Sequence, residues 1–240
     1  MKLKYMMKNK AFAVVSALAC LGLYGAGTAS YSIPVLTVKS DGLKVVPGSG
    51  KVQRCPFSYS ETSNSAPVKV SIMEDVPAGA GNSLRASLWL AATTASLALN
   101  RDLAGETIGF ETSGYVDGPS AGGMLCLAVM SAIEGRSFPD DFAMTGTIMV
   151  DGTIGPVGGV AEKLRAASGA GIKRVCIPTF ARMDEDFADL LELGRELKLE
   201  MHQVGTIADA YQVLHRLPAR QVVRLNPAEV CRLRPMSKTV

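Results

Sequence analysis

The stretch "YVDGPSAGG", residues 115–123, places one serine between a proline and two glycines where an extended segment gives way to an apolar helix. Pro119 suits the first turn of that helix, and Asp117 is predicted to cap it. Ser120 would then lie where the N–H groups and the positive end of the helix dipole point. An anion formed beside Ser120 would be stabilised there, as attack of a serine on a carbonyl requires.

Three glycines flank this serine at positions 118, 122 and 123. Because glycine has no side chain, they are expected to let a substrate backbone approach Ser120 closely. A serine that follows a proline at a helix start is most often only a cap. The local pattern therefore leaves two interpretations open, a helix cap and a nucleophile.

A serine nucleophile needs a base that removes its proton. Neither His202, in a predicted strand, nor His215, in a terminal helix, lies beside a glycine-rich turn, so both are interpreted as structural or surface residues. Lys163 follows the turn "GTIGPVGG" (152–159) in the first turns of a predicted helix. Apolar packing and the helix N-terminus would both disfavour its ammonium form, so Lys163 is the candidate base. A solvated helical lysine is the alternative.

Outward from this stretch, helical patterns alternate with short β-type runs. Strands are predicted at residues 68–73, 106–112, 142–150, 174–178 and 199–204. Helices are predicted at residues 82–100, 119–135, 160–168, 184–197 and 207–217, and Asn82 is the predicted cap of the first of them. The pattern predicts an α+β (mixed α/β) domain over residues 67–217, with helices packed on a β-sheet. Residues 30–66 are predicted to form a short β-rich N-terminal segment.

The first 29 residues have the composition of a targeting segment. Four lysines and no acid precede the apolar run "AFAVVSALACLGLYGAG" (11–27), and Gly27 and Ala29 are small residues of the kind found at cleavage sites. A cleaved signal peptide and an uncleaved membrane anchor are both compatible with this run, and lipid attachment at Cys20 is a third alternative. Each predicts export to the periplasm or to the outer face of a bacterial cell envelope.

The charge pattern argues against a nucleic-acid partner. Removal of the four leader lysines would lower the formal net charge from +3 to −1. The remaining basic residues concentrate in a C-terminal tail, residues 218–240, which holds five Lys or Arg side chains against Glu229 alone. This tail is interpreted as solvated, with contact to an anionic membrane surface, through tail or leader, as the alternative.

The five cysteines show no metal-ligand spacing. Cys126 and Cys176 lie in apolar runs and are predicted to pack in the core. Cys55 and Cys231 lie in polar segments, where a disulfide would require export and close approach of the two residues.

The segments "DGPSAGG", "AMTGTI", "DGTIGPVGGVAEKLRAA" and "AGIKRVCIP", in this order, resemble the proteolytic domain of the Lon protease family, most closely over residues 106–178. The resemblance implies a Ser–Lys dyad peptidase with Ser120 as nucleophile and Lys163 as general base. Thr145 matches the threonine that helps to orient the lysine, and the backbone N–H groups of Asp117 and Ser120 match the oxyanion donors. It further implies a polypeptide substrate, no cofactor and, because related domains often form rings, a homo-oligomer as one alternative.

Two departures from the family pattern bear on function. Thr147 stands where the family usually has an acid, and "FETSGYV" (110–116) is shorter than the usual segment before the nucleophile, so the pocket is expected to differ. No GxxxxGK[ST] motif occurs: "GSGK" (48–51) has Val45 at its first glycine position and Val52 at its Ser/Thr position. The sequence therefore predicts an ATP-independent serine endopeptidase that acts on unfolded or flexible polypeptides.

Two other functions fit the same residues. The chain could be a catalytically inactive Lon-like scaffold or an envelope interaction module, although retention of Ser120, Lys163 and Thr145 argues against this. It could also be an acyl hydrolase or acyltransferase on a non-peptide substrate, because the dyad determines acyl chemistry and not the leaving group.

Overall fold

The computed structural model describes residues 27–41, 44–61, 66–74, 79–179 and 187–218. The predicted leader up to residue 26, with Cys20, and the basic tail from residue 219, with Cys231, lie outside the described residues. Within the described part of the chain, no helix is long and apolar enough to cross a membrane. The described residues also contain no cluster of three or more His, Cys, Asp or Glu side chains that could hold a metal ion.

The described residues form eleven strands and five α-helices. The strands are β1 Thr28–Thr37, β2 Ser40–Asp41, β3 Lys44–Val45, β4 Lys51–Glu61, β5 Lys69–Glu74, β6 Glu106–Thr112, β7 Phe142–Met144, β8 Thr147–Ile148, β9 Ile154–Gly155, β10 Arg174–Pro178 and β11 Glu200–Val204. The helices are α1 Asn82–Leu99, α2 Gly122–Ile133, α3 Val160–Gly169, α4 Phe187–Glu196 and α5 Ile207–His215, and a 3-10 turn covers Pro119–Ala121.

Seven strands form one mixed sheet in the order β11-β10-β7-β1-β4-β6-β5. β1 runs antiparallel to β4 from Thr28 opposite Ser60 to Thr37 opposite Lys51, and parallel to β7 at Val35. The predicted mixed α/β class is confirmed. The boundary predicted at residue 66 does not divide the structure, because residues 28–61 supply two strands in the middle of the sheet.

Successive side chains of the central strands point to opposite faces of this sheet, and both faces are buried. In β7, Phe142 and Met144 face a core formed with α1, α2 and α5, whereas Ala143 faces a second core formed with α3 and α4. β10 divides in the same way, with Cys176 on the first face and Val175 on the second. Helices therefore cover both faces, as expected for strands whose successive side chains point in opposite directions.

Cys126 and Cys176 lie in the core, as the sequence predicts. Cys55 is also buried, because β4 alternates and turns Cys55 inward between the exposed Arg54 and Pro56. Burial raises the pKa of the Cys55 thiol to about 12, which suppresses the reactive thiolate. The suggested partner of Cys55 lies in the undescribed tail, so the disulfide stays a prediction.

Candidate active site

Ser120 lies in the 3-10 turn that leads into α2. Gly118, the residue just before this turn, has φ 104° and ψ 151°, a region that is essentially restricted to glycine. The predicted helix over 119–135 therefore starts with a tight turn and becomes α-helical at Gly122. Gly118 sets the direction in which the chain enters the turn and so fixes the position of Ser120.

The two glycines after Ser120 serve packing rather than access to substrate. A Cβ on Gly122 would lie 2.8 Å from Ile148 Cγ2 and 3.0 Å from the Ile148 nitrogen, and a Cβ on Gly123 would meet the Met144 side chain. Both glycines are buried. The expectation that they admit a substrate backbone is therefore wrong, because β7 and β8 already occupy the space beside them.

Asp117 caps a different helix from the one predicted. Its Oδ1 accepts hydrogen bonds from the backbone N–H groups of Ser83 (3.0 Å) and Leu84 (3.3 Å), in the first turn of α1. Burial raises the pKa of the Asp117 carboxyl, but backbone N–H donors at Gly118, Leu84 and Ser83 more than offset this, and the pKa is lowered overall.

Asn82, the predicted cap of this helix, is instead the first residue of α1, and Gly81 holds the cap position.

Thr145 lies in the break between β7 and β8, within what the sequence predicts as one strand. Its Oγ1 accepts a hydrogen bond from Lys163 Nζ at 3.0 Å and lies 3.5 Å from the Ser120 carbonyl oxygen, to which it can donate. The Gly146 N–H donates to the same carbonyl at 2.9 Å. One buried hydroxyl thus links the lysine to the turn that carries the serine.

Lys163 lies in the first turn of α3 and is 2% exposed. Its backbone N–H donates to the carbonyl of Gly159, which caps α3 in the left-handed conformation at φ 69°. A buried lysine is costly in its charged form, which favours the neutral amine that a base requires. The solvated alternative for Lys163 is excluded by this burial.

Ser120 and Lys163 line one pocket of about 280 Å³, together with Asp117 and Thr147. Much of the remaining wall is apolar, and part of it comes from β1 and from the hairpin of β2 and β3. The lining from residues 35–45 was not predicted, because a contact between segments so far apart in sequence leaves no local pattern. Thr147, which stands where the Lon family usually has an acidic residue, lines this pocket.

A second contribution that the sequence did not reveal comes from the "GSGK" segment. Gly48 N–H donates to Glu162 Oε2 at 2.8 Å, and a side chain on Gly50 would collide with the Glu162 carbonyl. Lys51 begins a strand rather than a helix, so the segment lacks the helix N-terminus of a phosphate-binding loop. Its observed contact is with α3, next to Lys163.

Neither histidine is among the described residues that line this pocket. His202 Nε2 lies 2.9 Å from Glu200 Oε1 on β11. His215 Nε2 lies 2.9 Å from Ser131 Oγ, and burial, followed by the positive charge of Arg136, lowers the pKa of its ring. Both side chains have structural contacts away from Ser120.

A family model of known proteins matches the part of the chain that carries Ser120, Thr145 and Lys163. Residues 111–216 match the family model of the Lon protease (S16) C-terminal proteolytic domain. The resemblance inferred from the sequence is thereby confirmed for the part of the chain that carries Ser120, Thr145 and Lys163.

Individual Lon proteases align with the same part of the chain. The chain is 44% identical over 98 residues to Lon protease 2 of Syntrophobacter fumaroxidans and 43% identical over 100 residues to Lon protease 1 of Thermus thermophilus. These alignments cover 40% and 41% of this chain and 12% of each relative. The similarity therefore concerns the proteolytic domain and only about an eighth of the length of these relatives.

Proposed function

We propose that this chain is an ATP-independent serine endopeptidase that uses Ser120 and Lys163 as a catalytic dyad on unfolded or flexible polypeptides. The observation that carries the proposal is the buried Lys163, which shares a pocket with Ser120 and is held by Thr145. The match of residues 111–216 to a proteolytic domain supports peptide chemistry over other acyl transfers. The 240 residues contain no GxxxxGK[ST] motif.

In the proposed reaction, neutral Lys163 Nζ accepts the hydroxyl proton while Ser120 Oγ forms a bond to the substrate carbonyl carbon. The negative charge on the carbonyl oxygen is stabilised by the backbone N–H groups of Asp117 and Ser120. Lys163 then returns the proton to the leaving amine, which leaves an acyl-enzyme on Ser120. A water molecule releases the acyl group by the same steps with water as the nucleophile.

Thr145 has the role of a positioning residue in this scheme. Its hydroxyl accepts an N–H from Lys163 Nζ, so the lone pair of a neutral Lys163 amine points away from Thr145. The same hydroxyl can donate to the Ser120 carbonyl, which ties the orientation of the base to the turn that carries the nucleophile.

The test is cleavage of an unfolded protein such as casein, without ATP, by the purified chain and its variants. Ser120→Ala and Lys163→Ala are each expected to lose activity about a thousandfold or more. Lys163→Arg should not restore it, because guanidinium stays protonated. Two exposed residues that do not line the pocket supply matched controls, Ser32→Ala and Lys69→Ala, which should retain full activity.

Labelling separates the three candidate functions. A serine-directed phosphonate or a peptide boronate should modify the wild type and not Ser120→Ala. Failure to label a folded wild type would favour the inactive scaffold. Labelling without cleavage of any polypeptide would favour an acyl hydrolase or acyltransferase on another substrate.

A further inference from the structure

A second groove adjoins the pocket of Ser120. It has a volume of about 680 Å³ and shares Thr37, Val38, Ser40, Val116 and Asp117 with that pocket. The two spaces therefore lie side by side and share part of their walls. A polypeptide that places one bond at Ser120 would extend neighbouring residues into the second groove.

Two lysines distinguish the second groove from the largely apolar first pocket. Lys39 and Lys51 both line it and both are exposed. Lys51 lies opposite Thr37 in the β1–β4 register, and Lys39 follows Thr37 by two residues. Ser49 Oγ accepts from the Lys39 N–H at 3.0 Å, which holds the two lysine-bearing backbones side by side.

The charge of the groove is not neutralised from within the described structure. Neither Lys39 nor Lys51 forms an ion pair with another described residue. The one carboxylate in the lining, Asp117, accepts from the α1 backbone N–H groups instead. Asp41, in the β2–β3 hairpin, is not among the described residues that line the groove. Among the described residues, the two ammonium groups of the groove therefore have no partner carboxylate.

We infer that the Lys39–Lys51 groove is a subsite for an acidic side chain of the substrate, on one side of the bond that is cleaved. The inference rests on the proposed peptidase function. An extended chain in the cleft brings its carboxylate between two ammonium groups at a partly exposed site, where the attraction is real but screened by salt. Both lysines precede residues 111–216, so the positive charge of the subsite comes from outside the stretch matched to the Lon family model, although residues 113–117 line the same groove.

The experiment uses fluorogenic peptides that carry one glutamate, moved through four positions on each side of the scissile bond, with glutamine at the same position as the matched control. Glutamate is expected to raise kcat/KM about three- to tenfold over glutamine, on one side of the bond only. The Glu/Gln ratio should fall to about one in the double variant Lys39→Gln/Lys51→Gln and in 1 M salt. Lys69→Gln, on the distant strand β5, should keep the wild-type ratio.

Binding gives a second readout that does not depend on turnover. Ser120→Ala should bind a labelled glutamate peptide more tightly than its glutamine counterpart, by a similar factor, and the added pair of lysine substitutions should remove the difference. Equal Glu and Gln values at every position, or a preference that survives loss of both lysines, would overturn the subsite. Failure of the wild type to cleave any peptide, with the binding preference intact, would contradict the peptidase function alone.

Discussion

The Thr145 hydroxyl is a single group on which the candidate site depends. It is 1% exposed and has contacts to both Lys163 and the Ser120 carbonyl. Loss of this acceptor would remove one of the contacts that orient the buried Lys163 amine.

Thr145→Val preserves the shape of the side chain and removes its hydroxyl. We expect kcat/KM to fall about ten- to a hundredfold, the usual effect of losing a hydrogen bond to an ionisable group. Thr145→Ser, which keeps the hydroxyl, should retain most of the activity. Melting temperatures of both variants provide the control for folding. A Thr145→Val protein with wild-type kcat/KM would contradict the positioning role.

Glu106 is a second buried ionisable residue, away from the pocket. It is 1% exposed, its Oε2 has no hydrogen-bond partner among the described residues, and Arg101 Nη2 lies 3.3 Å from Oε1. Burial raises the pKa of the Glu106 carboxyl, even though a hydrogen bond from Tyr59 and the charge of Arg101 oppose the shift. Its stabilising contribution is therefore fully present below the unfolded-state pKa and is lost as the pH rises through the folded-state pKa.

Glu106→Gln should for this reason stabilise the fold at neutral pH, by about 1 kcal/mol, because it removes a buried charge and keeps the shape. The gain should shrink as the pH falls towards 4, where the wild-type carboxyl is protonated. Urea unfolding of both proteins at pH 7.5 and pH 4.5 measures this difference. If Glu106→Gln were clearly less stable than the wild type at pH 7.5, the attraction between Glu106 and Arg101 would outweigh the cost of burying the carboxylate.

At the scale of elements, α3 is held in place by a segment more than a hundred residues earlier in the chain. Gly48 donates to the Glu162 side chain, and Gly50 lies against the Glu162 backbone with no room for a side chain. Val38 and Val45 also approach Gly159 at the start of α3, since a Cβ there would lie 3.1 and 3.2 Å from them. The N-terminal strands thus position the helix that carries Lys163.

Gly50→Ala should accordingly impair catalysis although residue 50 touches no reacting group. The added methyl group must push α3 or β4 aside, and a shift of α3 moves Lys163. We expect a loss of about 1–3 kcal/mol in unfolding free energy and a fall in kcat/KM larger than the unfolded fraction explains. Gly48→Ala is the control: Gly48 has φ 71° but no atom within 4 Å of an added Cβ, so its cost is backbone strain alone. Equal activity of the two variants would contradict the supporting role of Gly50.

Elements with strong local signals could be predicted from the sequence, and elements defined by distant partners could not. Helix 82–99 and strand 174–178 were predicted closely, because their apolar spacing and flanking turns are local. The cap role of Asp117 was assigned to the wrong helix, since α1 lies more than thirty residues away in sequence. The central place of β1 and β4 was missed because Ser, Gly and Pro in residues 30–66 suggested a peripheral segment.

For the molecule as a whole, the pH dependence of the reaction tests the proposed mechanism. Only the neutral amine of Lys163 can accept a proton, so kcat/KM should rise with pH as a single ionisation, about tenfold per unit, and then level off. The pH profile of kcat/KM should show no second ionisation near pH 6.5, the ordinary pKa of histidine. His202→Gln and His215→Gln serve as controls and should leave the profile unchanged. A profile whose midpoint moved in either variant would assign the base to histidine.

The central position of β1 has a consequence for how this protein can diversify. Ser120, Thr145 and Lys163 all fall within residues 111–216, yet β1 and its hairpin build one wall of their pocket, and with β4 they supply both lysines of the adjoining groove. Substitutions at Lys39 or Lys51 are therefore expected to alter which polypeptides the proposed cleft accepts while Ser120, Thr145 and Lys163 stay unchanged. Substrate preference and the proposed chemistry thus depend on separate parts of the chain that share one sheet.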